Sequence, residues 1–478
     1  MKSISSFIIL FFLTFTFQAQ EKKWTLKECV KHALENNISI RQSQLDLEIS
    51  EIDKKDAIGN YLPSINANVS NSWNTGLTQN VTTGVLQNQT TRNLSAGVTV
   101  GVNIFNGLSN LRQLQRAKLS RMASMYSLEK MEDDITLFVA NAYLEVLVNK
   151  ETAKVLKEQN QVTQEQFTRT QDLVDAGVLP QGDLLEIKAT NADENQQIII
   201  AENAVRLSLI SLAQTLLIDD YESFDVVDET YGVPVNEILQ KSPQQIIENA
   251  RKERSEIKIA ESNVELAEKD VQIAKSGYLP SLSGFFNYNT RESGANRFGQ
   301  GGIDPNSPSQ VIGQVESTGE AVVAPNFALS TLPPLPFFEQ LYLNDGISYG
   351  LQLNVPILNG FSTRNSVQRN KINIQRAEYQ LEQAKLDLES NVYQAYVDAQ
   401  GAAEAYQAAE VAVESQELAY DYAKERYDVG LTNAFDFSQS KFRLSNSQSQ
   451  LIRNKYDYIF KLKVLELYFG VDAKDIKL

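Results

Sequence analysis

The sequence predicts a mixed α/β membrane protein, a tandem-duplicated β-hairpin plus long antiparallel coiled-coil helices, and three observations predict it. Residue patterns recur at constant offsets along the chain. Two stretches of 69 residues lack proline and nearly lack glycine. The short segments between the helical stretches alternate apolar and small or polar residues with a period of two.

The chain opens with Lys2, an apolar run from Phe7 to Phe17 and the stretch Gln18-Ala19-Gln20, followed by charged Glu21, Lys22 and Lys23. This is the layout of a secretory signal peptide over residues 1–20, and its apolar run is too short to span a bilayer. No later stretch reaches 18 uninterrupted apolar residues, which argues against a helical membrane protein. The lone cysteine, Cys29, has no internal disulfide partner, and Trp24 to Glu28 stands where a lipidation signal would have to be. A half-buried structural position is expected for it. The single histidine, His32, lies between Lys31 and Glu35 and is expected to face solvent. With one histidine, neither a histidine metal site nor histidine acid–base chemistry is expected. A net charge of -16 argues against nucleic acid as a partner.

Gly59-Asn60-Tyr61-Leu62-Pro63-Ser64-Ile65 returns as Ser276-Gly277-Tyr278-Leu279-Pro280-Ser281-Leu282, an offset of 217. Farther on the offset becomes 253: Gly107 matches Gly360, Arg116 matches Arg369, Tyr143 matches Tyr396 and Gly177 matches Gly430. The second copy has therefore gained 36 residues between Ser281 and Tyr349, in the Gly-, Asn-, Ser- and Pro-rich segment 291–336. The first repeat is expected over 21–218, an inter-repeat segment over 219–241, the second repeat over 242–470 and a tail over 471–478.

Thr25 to Ile58 and Ser242 to Ser276 read as helices, the first with a Thr25–Glu28 capping box and the second with Pro243 in its first turn. Leu108 to Ala176 and Phe361 to Val429 read as helices twice as long, each about 100 Å at 1.5 Å per residue. Beyond Gly177 and Gly430, return helices are expected from Gln181 to about Leu217 and from about Asn433 to Phe469. One short helix and one return helix together match one long helix, so each repeat packs most economically as an antiparallel coiled coil. Ala395, Ala399 and Ala402 offer small faces for close approach.

Strands are expected at about 61–73, 93–105, 278–290 and 346–358. Leu94, Ala96, Val98, Val100, Val102 and Ile104 alternate with small or polar residues, and Tyr349, Leu351, Leu353 and Val355 repeat the rhythm. Period two without charge on either side suits a strand between lipid and a water-filled lumen. Trp73 and Tyr288 are expected in an interfacial aromatic girdle. Four strands cannot close a barrel, and an open edge is intolerable in hydrocarbon, so the chain must oligomerise. Strand count alone leaves two, three or four subunits open. The acidic segment with Asp219, Asp220, Asp225 and Asp228, ending near Gly232 and Pro234, is either a side domain or a solvated linker. The long loop 291–336 is expected to face away from the helices.

These pieces, in this order and duplicated, resemble the TolC family of outer-membrane efflux proteins over essentially the whole chain beyond the leader. The motifs that carry the resemblance are Tyr61-Leu62-Pro63 with Tyr278-Leu279-Pro280, and the Pro356-Ile357-Leu358-Asn359-Gly360 turn, which has Asn103 at the proline position in the first copy. Asp175-Ala176-Gly177-Val178-Leu179 with Asp183, and Tyr427-Asp428-Val429-Gly430-Leu431 with Asp436, complete them. The resemblance implies a homotrimer whose trimeric 12-stranded β-barrel, surrounded by outer-membrane lipid, continues as an α-helical periplasmic tunnel. It also implies docking through a periplasmic adaptor onto an inner-membrane pump, proton-driven or ATP-driven, in efflux or type I secretion. The tips Gly177, Val178, Leu179 and Val429, Gly430, Leu431 would receive the adaptor.

By the same resemblance, the periplasmic gate falls on Tyr427, Asp436 and Asp183. Gln439 stands where a second ring aspartate is expected and Thr432 where a lock arginine is expected, so the gate should carry reduced charge and close differently. Symmetry-related carboxylates near an axis favour cations independently of any resemblance. Asp183 and Asp436 could equally cap the return helices. No catalytic residue, cofactor or metal ligand set is expected, and the chain does not read as an enzyme. The alternative from another class is a non-transporting exported periplasmic coiled-coil structural protein.

Overall fold

The computed structural model describes residues 23–79, 85–228, 231–233 and 237–471. The expected signal peptide, the tail beyond residue 471 and Pro234 of the inter-repeat segment lie outside them. In chain order the elements are β1 (Lys23–Trp24), α1 (Leu26–Asn36), α2 (Ile38–Gly59), β2 (Ser64–Gln79), β3 (Leu86–Asn106), α3 (Ser109–Asp175), α4 (Gln181–Thr215) and β4 (Asp225–Val226). After a 3-10 turn at Glu237–Gln240 follow α5 (Pro243–Glu253), α6 (Ser255–Ser276), β5 (Ser281–Ser293), β6 (Arg297–Ile303), β7 (Ser309–Gln314), β8 (Ala321–Pro325) and β9 (Phe327–Leu332). The chain ends with α7 (Phe337–Leu343), β10 (Gly346–Asn354), α8 (Ser362–Asp428) and α9 (Ala434–Phe469).

Two compact units result. One comprises the described parts of Met1–Glu51, Leu119–Ala267 and Asn373–Leu478, and the other Ile52–Lys118 and Glu268–Ile372. The first unit is helical and has two cores, which are one core built twice. Cys29, Ala33, Val139 and Tyr143 lie in the first, and Ile246, Ala250 and Val392, at the corresponding repeat positions, lie in the second. The matched tyrosines have a shared reason. Tyr143 is fully buried, with its hydroxyl 3.4 Å from the carbonyls of Trp24 and Val227, and Tyr396 donates to the Leu239 carbonyl at 3.3 Å. A buried phenol needs an acceptor, and each copy supplies main chain for it.

Each expected short helix is in fact two. Asn37 (φ -59°, ψ 134°) and Arg254 (φ -69°, ψ 129°) leave helical geometry at positions 217 apart. Asn37 closes α1 with its backbone N–H, which donates to the Ala33 carbonyl at 2.8 Å, and starts α2 with its side chain, whose Oδ1 accepts the Ser39 N–H at 2.9 Å. No proline or glycine marks either break, so sequence pattern could not show it. The Thr25–Glu28 capping box is present, and Ser242–Gln245 repeats it ahead of Pro243.

Several positions differ from expectation. Cys29 is fully buried in the first core. His32 is half-buried, its ring edge-on to Trp24 at 5.2 Å, because β1 folds Trp24 back over α1. The inter-repeat segment is no solvated linker where it is described: β4 pairs in parallel with β1, and Phe224 and Val226 join the core. Lys23 and Lys150 both clamp Asp225 and Asp228, the Lys150 contacts at 2.5 and 2.7 Å. Helix α4 alone among the described residues is long and apolar enough by composition to cross a membrane. Yet it carries Glu202, ion-paired to Lys157 of α3 at 2.7 Å, and packs as a return helix.

The main sheet of the second unit is antiparallel and four-stranded, β10-β5-β3-β2, and in it the two hairpins join through β3 and β5. The strands do not keep the expected ranges. Pro63 and Pro280 delay entry to residues 64 and 281, and Pro356, lacking an N–H, goes with an end at Asn354 instead of 358. The first hairpin runs on to Gln79 and Leu86, well past the expected 73 and 93. Segment 291–336 is not one structureless loop. It contains nested ribbons, β6 with β9 and β7 with β8, and leads directly into α7.

Two strand-to-helix turns require left-handed backbone at consecutive residues, Gly107 and Leu108 in the first copy, Gly360 and Phe361 in the second. A Cβ on Gly107 would lie 2.5 Å from the Ser276 carbonyl oxygen and 2.9 Å from Leu279 Cβ, whereas at Gly360 it meets open space. Gly360→Ala should therefore cost about 1 kcal/mol of backbone strain, and Gly107→Ala about 2–4 kcal/mol because overpacking is added. Equal shifts in unfolding temperature for the two variants in detergent would contradict this. The clamp at β4 makes a second prediction. Burial pushes the Asp225 and Asp228 carboxyls up, but hydrogen bonds and charge from Lys150 and Lys23 outweigh it and hold both below the usual range. Their stabilisation is complete above the unfolded value near about 4 and is lost as pH falls through the lowered native values. Amide exchange over residues 225–228, corrected for intrinsic rates, should accelerate in that acid window, and Lys150→Met should remove most of the effect.

Candidate functional site

The sheet of the second unit has two chemically opposite faces, and its register makes them. Ala67, Val98, Tyr288 and Ile347 stand side by side across the four strands, and so do Ile65, Val100, Phe286 and Tyr349. The intervening rows are Asn68, Gly97, Asn289 and Gly346, then Asn66, Thr99, Asn287 and Ser348. Since side chains alternate across a strand, one face is apolar and the other polar, and neither carries charge below Arg92, Arg291 and Glu292. A bulge at Ile104 brings Phe105 into register with Leu282 and prolongs the apolar face. Phe285 interrupts the polar one, its ring seated against Gly350, where a Cβ would approach to 3.1 Å.

The apolar face is open to its surroundings: Val69 is 72% exposed and Tyr349 78%. From Leu94 to Ile104 the strand is about 34 Å long at about 3.4 Å per residue, which at a tilt of about 40° rises about 26 Å. That is the height of a hydrocarbon-facing band. Trp73 and Tyr288 both lie on this face, Trp73 opposite Arg92 and Tyr288 beside Val98. Among the described residues, β2 pairs only with β3 and β10 only with β5, so each end of the sheet is an edge.

In the first unit, the tips between long and return helices bring most of the sequence-predicted gate together. Gly177 (φ 69°) and Gly430 (φ 76°) reverse the chain, with Val178 N–H donating to Leu173 C=O and Leu431 N–H to Arg426 C=O, both at 2.8 Å. Val178, Val429 and Leu431 are left about two-thirds exposed. A cleft of about 730 Å³ is lined by Asp183, Tyr427, Thr432 and Asp436 together with side chains of both turns. Gln439 lines a separate cleft of about 270 Å³ beside Lys441.

Neither aspartate is a helix cap. Asn433 caps α9, its side chain accepting the Asp436 N–H at 2.8 Å, and Pro180 precedes α4 without any side-chain cap. Asp183 and Asp436 both sit in the first turn, where the helix N-terminus favours a carboxylate. Thr432, at the lock-arginine position, donates to Asp436 at 3.3 Å.

The tie between the two copies joins Tyr427 and Asp428, both within the motif read from the sequence, to residues of the first copy that sequence reading missed. Arg169 of α3 binds Asp428 of α8 at 2.7 Å, and Thr170 and Tyr427 share a hydrogen bond of 3.2 Å. The Tyr427 ring stacks on buried Phe437, centroids 5.0 Å apart, and the Tyr420 ring packs tilted against Phe437 at 5.6 Å. Burial, then the carboxylates of Asp421 and Asp428, push the Tyr420 hydroxyl up, so it stays protonated. The repeat contained a signal for this: Arg169 matches Tyr422, so the copies diverge where they touch.

Deeper along the same helices Lys441, 3% exposed, contacts Thr163 and binds Glu194 at 2.9 Å. Glu194 also accepts from Thr163 at 2.6 Å and Asn160 at 3.1 Å, which satisfies its carboxylate. Burial lowers the Lys441 ammonium despite the opposing charge of Glu194. Its repeat partner, Lys188, is exposed.

A family profile described as outer membrane efflux protein matches residues 29–216 and 246–471. Among solved structures the chain is similar to the Campylobacter jejuni CmeC outer membrane channel, with TM-score 0.72 and 16% identity over 93% of this chain and 85% of that one. It is also similar to a Pseudomonas aeruginosa membrane protein, with TM-score 0.72 and 15% identity over 95% and 91%. The open state of the Neisseria gonorrhoeae MtrE outer membrane channel gives 0.66 and 16% over 95% and 91%. No curated protein matches the sequence at a significant level.

The buried pair gives a direct test. Lys441→Met leaves Glu194 charged and partly buried without its cation, and should cost on the order of 3 kcal/mol. Adding Glu194→Gln should recover most of that loss. Thermal unfolding followed by circular dichroism reads both; a double variant no better than the single one contradicts the pairing.

Proposed function

The chain belongs to the outer membrane efflux protein family, and on that premise we propose how this particular sequence closes a pore, meets its partners and holds its gate. Its function is that of a passive outer-membrane channel with a helical part in the periplasm, serving tripartite efflux. No step of chemistry is asked of it.

One observation carries the closure: below Arg92, Arg291 and Glu292 the register gives every strand an uncharged apolar side and an uncharged polar side. Such a sheet fits between hydrocarbon and water, but its edges at β2 and β10 do not, because unpaired N–H and C=O groups in lipid cost several kcal/mol each. Three copies joined edge to edge, β2 of one beside β10 of the next, form a twelve-stranded barrel without edges. The polar rows of Asn, Ser, Thr and Gly then line a hydrated lumen.

At the periplasmic tips, exposed Val178, Val429 and Leu431 form the seat of an adaptor, and Asp183 and Asp436 contribute carboxylates to the constriction. Arg169–Asp428 and Thr170–Tyr427 hold the closed arrangement within each chain, in place of an arginine at Thr432. The Arg169–Asp428 pair is solvent-exposed, so it is weak and readily exchanged for contacts with a docked adaptor, whereas the Thr170–Tyr427 bond is partly buried, Thr170 being only 2% exposed. The energy for export comes from an inner-membrane pump.

Reconstituted protein should migrate as a heat-modifiable oligomer and conduct ions across planar bilayers. Arg169→Ala combined with Tyr427→Phe should raise conductance, and Asp436→Ala should lower the preference for cations. A soluble monomer without conductance would refute the channel; unchanged selectivity in Asp436→Ala would remove that residue from the constriction.

A further inference from the structure

The 36-residue gain of the second copy ends in α7, and nothing about channel closure requires this helix. It lies at the end of the strands away from the strand-to-helix turns, and its inner side is firmly held. Gln340, 7% exposed, accepts the Ser293 N–H at 3.0 Å and donates to the carbonyls of Ser293 and Leu335. Thr290 donates to the Leu341 carbonyl at 2.6 Å, and Asn344, just past the helix, donates to the Arg291 carbonyl at 3.0 Å. The Arg92 guanidinium, ion-paired to buried Glu292 at 2.9 Å, lies 5.5 Å from the centre of the Phe337 ring.

These contacts say on which side of the sheet α7 sits. Arg92 and Thr290 share strand parity with Leu94, Ala96, Tyr288 and Phe286, the apolar face. The helix therefore rests on that face, over the middle strands β3 and β5, where the apolar band gives way to the first ion pair. Its other side is bare: Phe338 and Tyr342, one helical turn apart, are each 80% exposed, and Leu343 is 58% exposed. Trp73, on the same face opposite Arg92, is 62% exposed.

We propose that α7 is an interfacial shelf, whose Phe338, Tyr342 and Leu343 insert at the boundary between acyl chains and headgroups in the outer leaflet of the membrane. This rests on the reading that the apolar face meets lipid, and adds a copy-specific anchor to it. Aromatic rings with an apolar body, here one of them bearing a hydroxyl, are the side chains that partition to that depth. A neighbouring copy is the poorer occupant, since copies join at the edges β2 and β10 while α7 overlies the centre. Because Gln340, Thr290 and Asn344 fix the helix, the anchor is presented already ordered, and it sets the height of the sheet against the bilayer.

The test uses the full chain with Tyr342→Cys carrying an environment-sensitive fluorophore, reconstituted in phosphatidylcholine vesicles; Cys29 is fully buried and remains unlabelled. Emission should shift to the blue, lose most of its intensity to lipids spin-labelled high on the acyl chain, and resist aqueous iodide. Phe338→Cys, labelled in the same way, should behave alike. Quenching by iodide alone would place α7 in water, and quenching by neither agent would place it against protein; either overturns the proposal. Ion conductance is recorded on the same samples. Labelled protein that conducts but fails the lipid test refutes only the shelf, whereas protein that neither inserts nor conducts refutes the channel reading and the shelf with it.

Discussion

A peptide group in hydrocarbon has no water to turn to, and most of this protein's organisation follows from that. The sheet β10-β5-β3-β2 satisfies its interior strands and leaves two edges. On the closure proposed above, those edges are covered by more of the same sheet, and the unit is larger than one chain. Proline placement respects the same constraint: Pro63, Pro280 and Pro356 all stand outside the ladder, where a missing N–H leaves no carbonyl unanswered.

Duplication solves a supply problem, since one hairpin with its helices is far too small to enclose anything, and two copies in one chain halve the number of subunits needed. The copies retain the same backbone devices in step: capping boxes at Thr25 and Ser242, breaks at Asn37 and Arg254, left-handed turns at Gly107 and Gly360, reversals at Gly177 and Gly430. They differ in what their side chains meet. Lys188 faces solvent while Lys441 is buried against Glu194, and Asp175 is held by Gln171 of its own helix while Asp428 binds Arg169 of the other copy. Symmetric scaffolding with asymmetric contacts lets one helix layer contain both a fixed network, at Lys441, and a weaker tie, at Arg169.

The same division separates what could be read from residues alone. The lengths of the long and return helices, the tips, the alternation of the strands and the insertion in the second copy were legible because each depends on local pattern: glycine where φ is positive, proline outside a ladder, period two on a two-faced sheet. Tyr427, Asp436 and Asp183 were placed at one cleft by repeat position and resemblance. Arg169, Thr170, Phe437, Lys441 and Glu194 were not found, for their significance is a distance between residues hundreds of positions apart. The full burial of Cys29 was misjudged, and the docking of Phe224 and Val226 was not found, for the same reason.

The sequence by itself thus determined the duplication, the lengths of the long and return helices and the chemical character of each strand face, because hydrogen bonding, backbone strain and amphipathic period act over a few residues. Tertiary structure alone decided which strands are neighbours, that β3 meets β5 across the copies, that the inserted segment folds into ribbons and rests α7 on the apolar face, and which of two equivalent lysines is buried. Those outcomes depend on packing and on desolvated charge, which are properties of surroundings and not of segments.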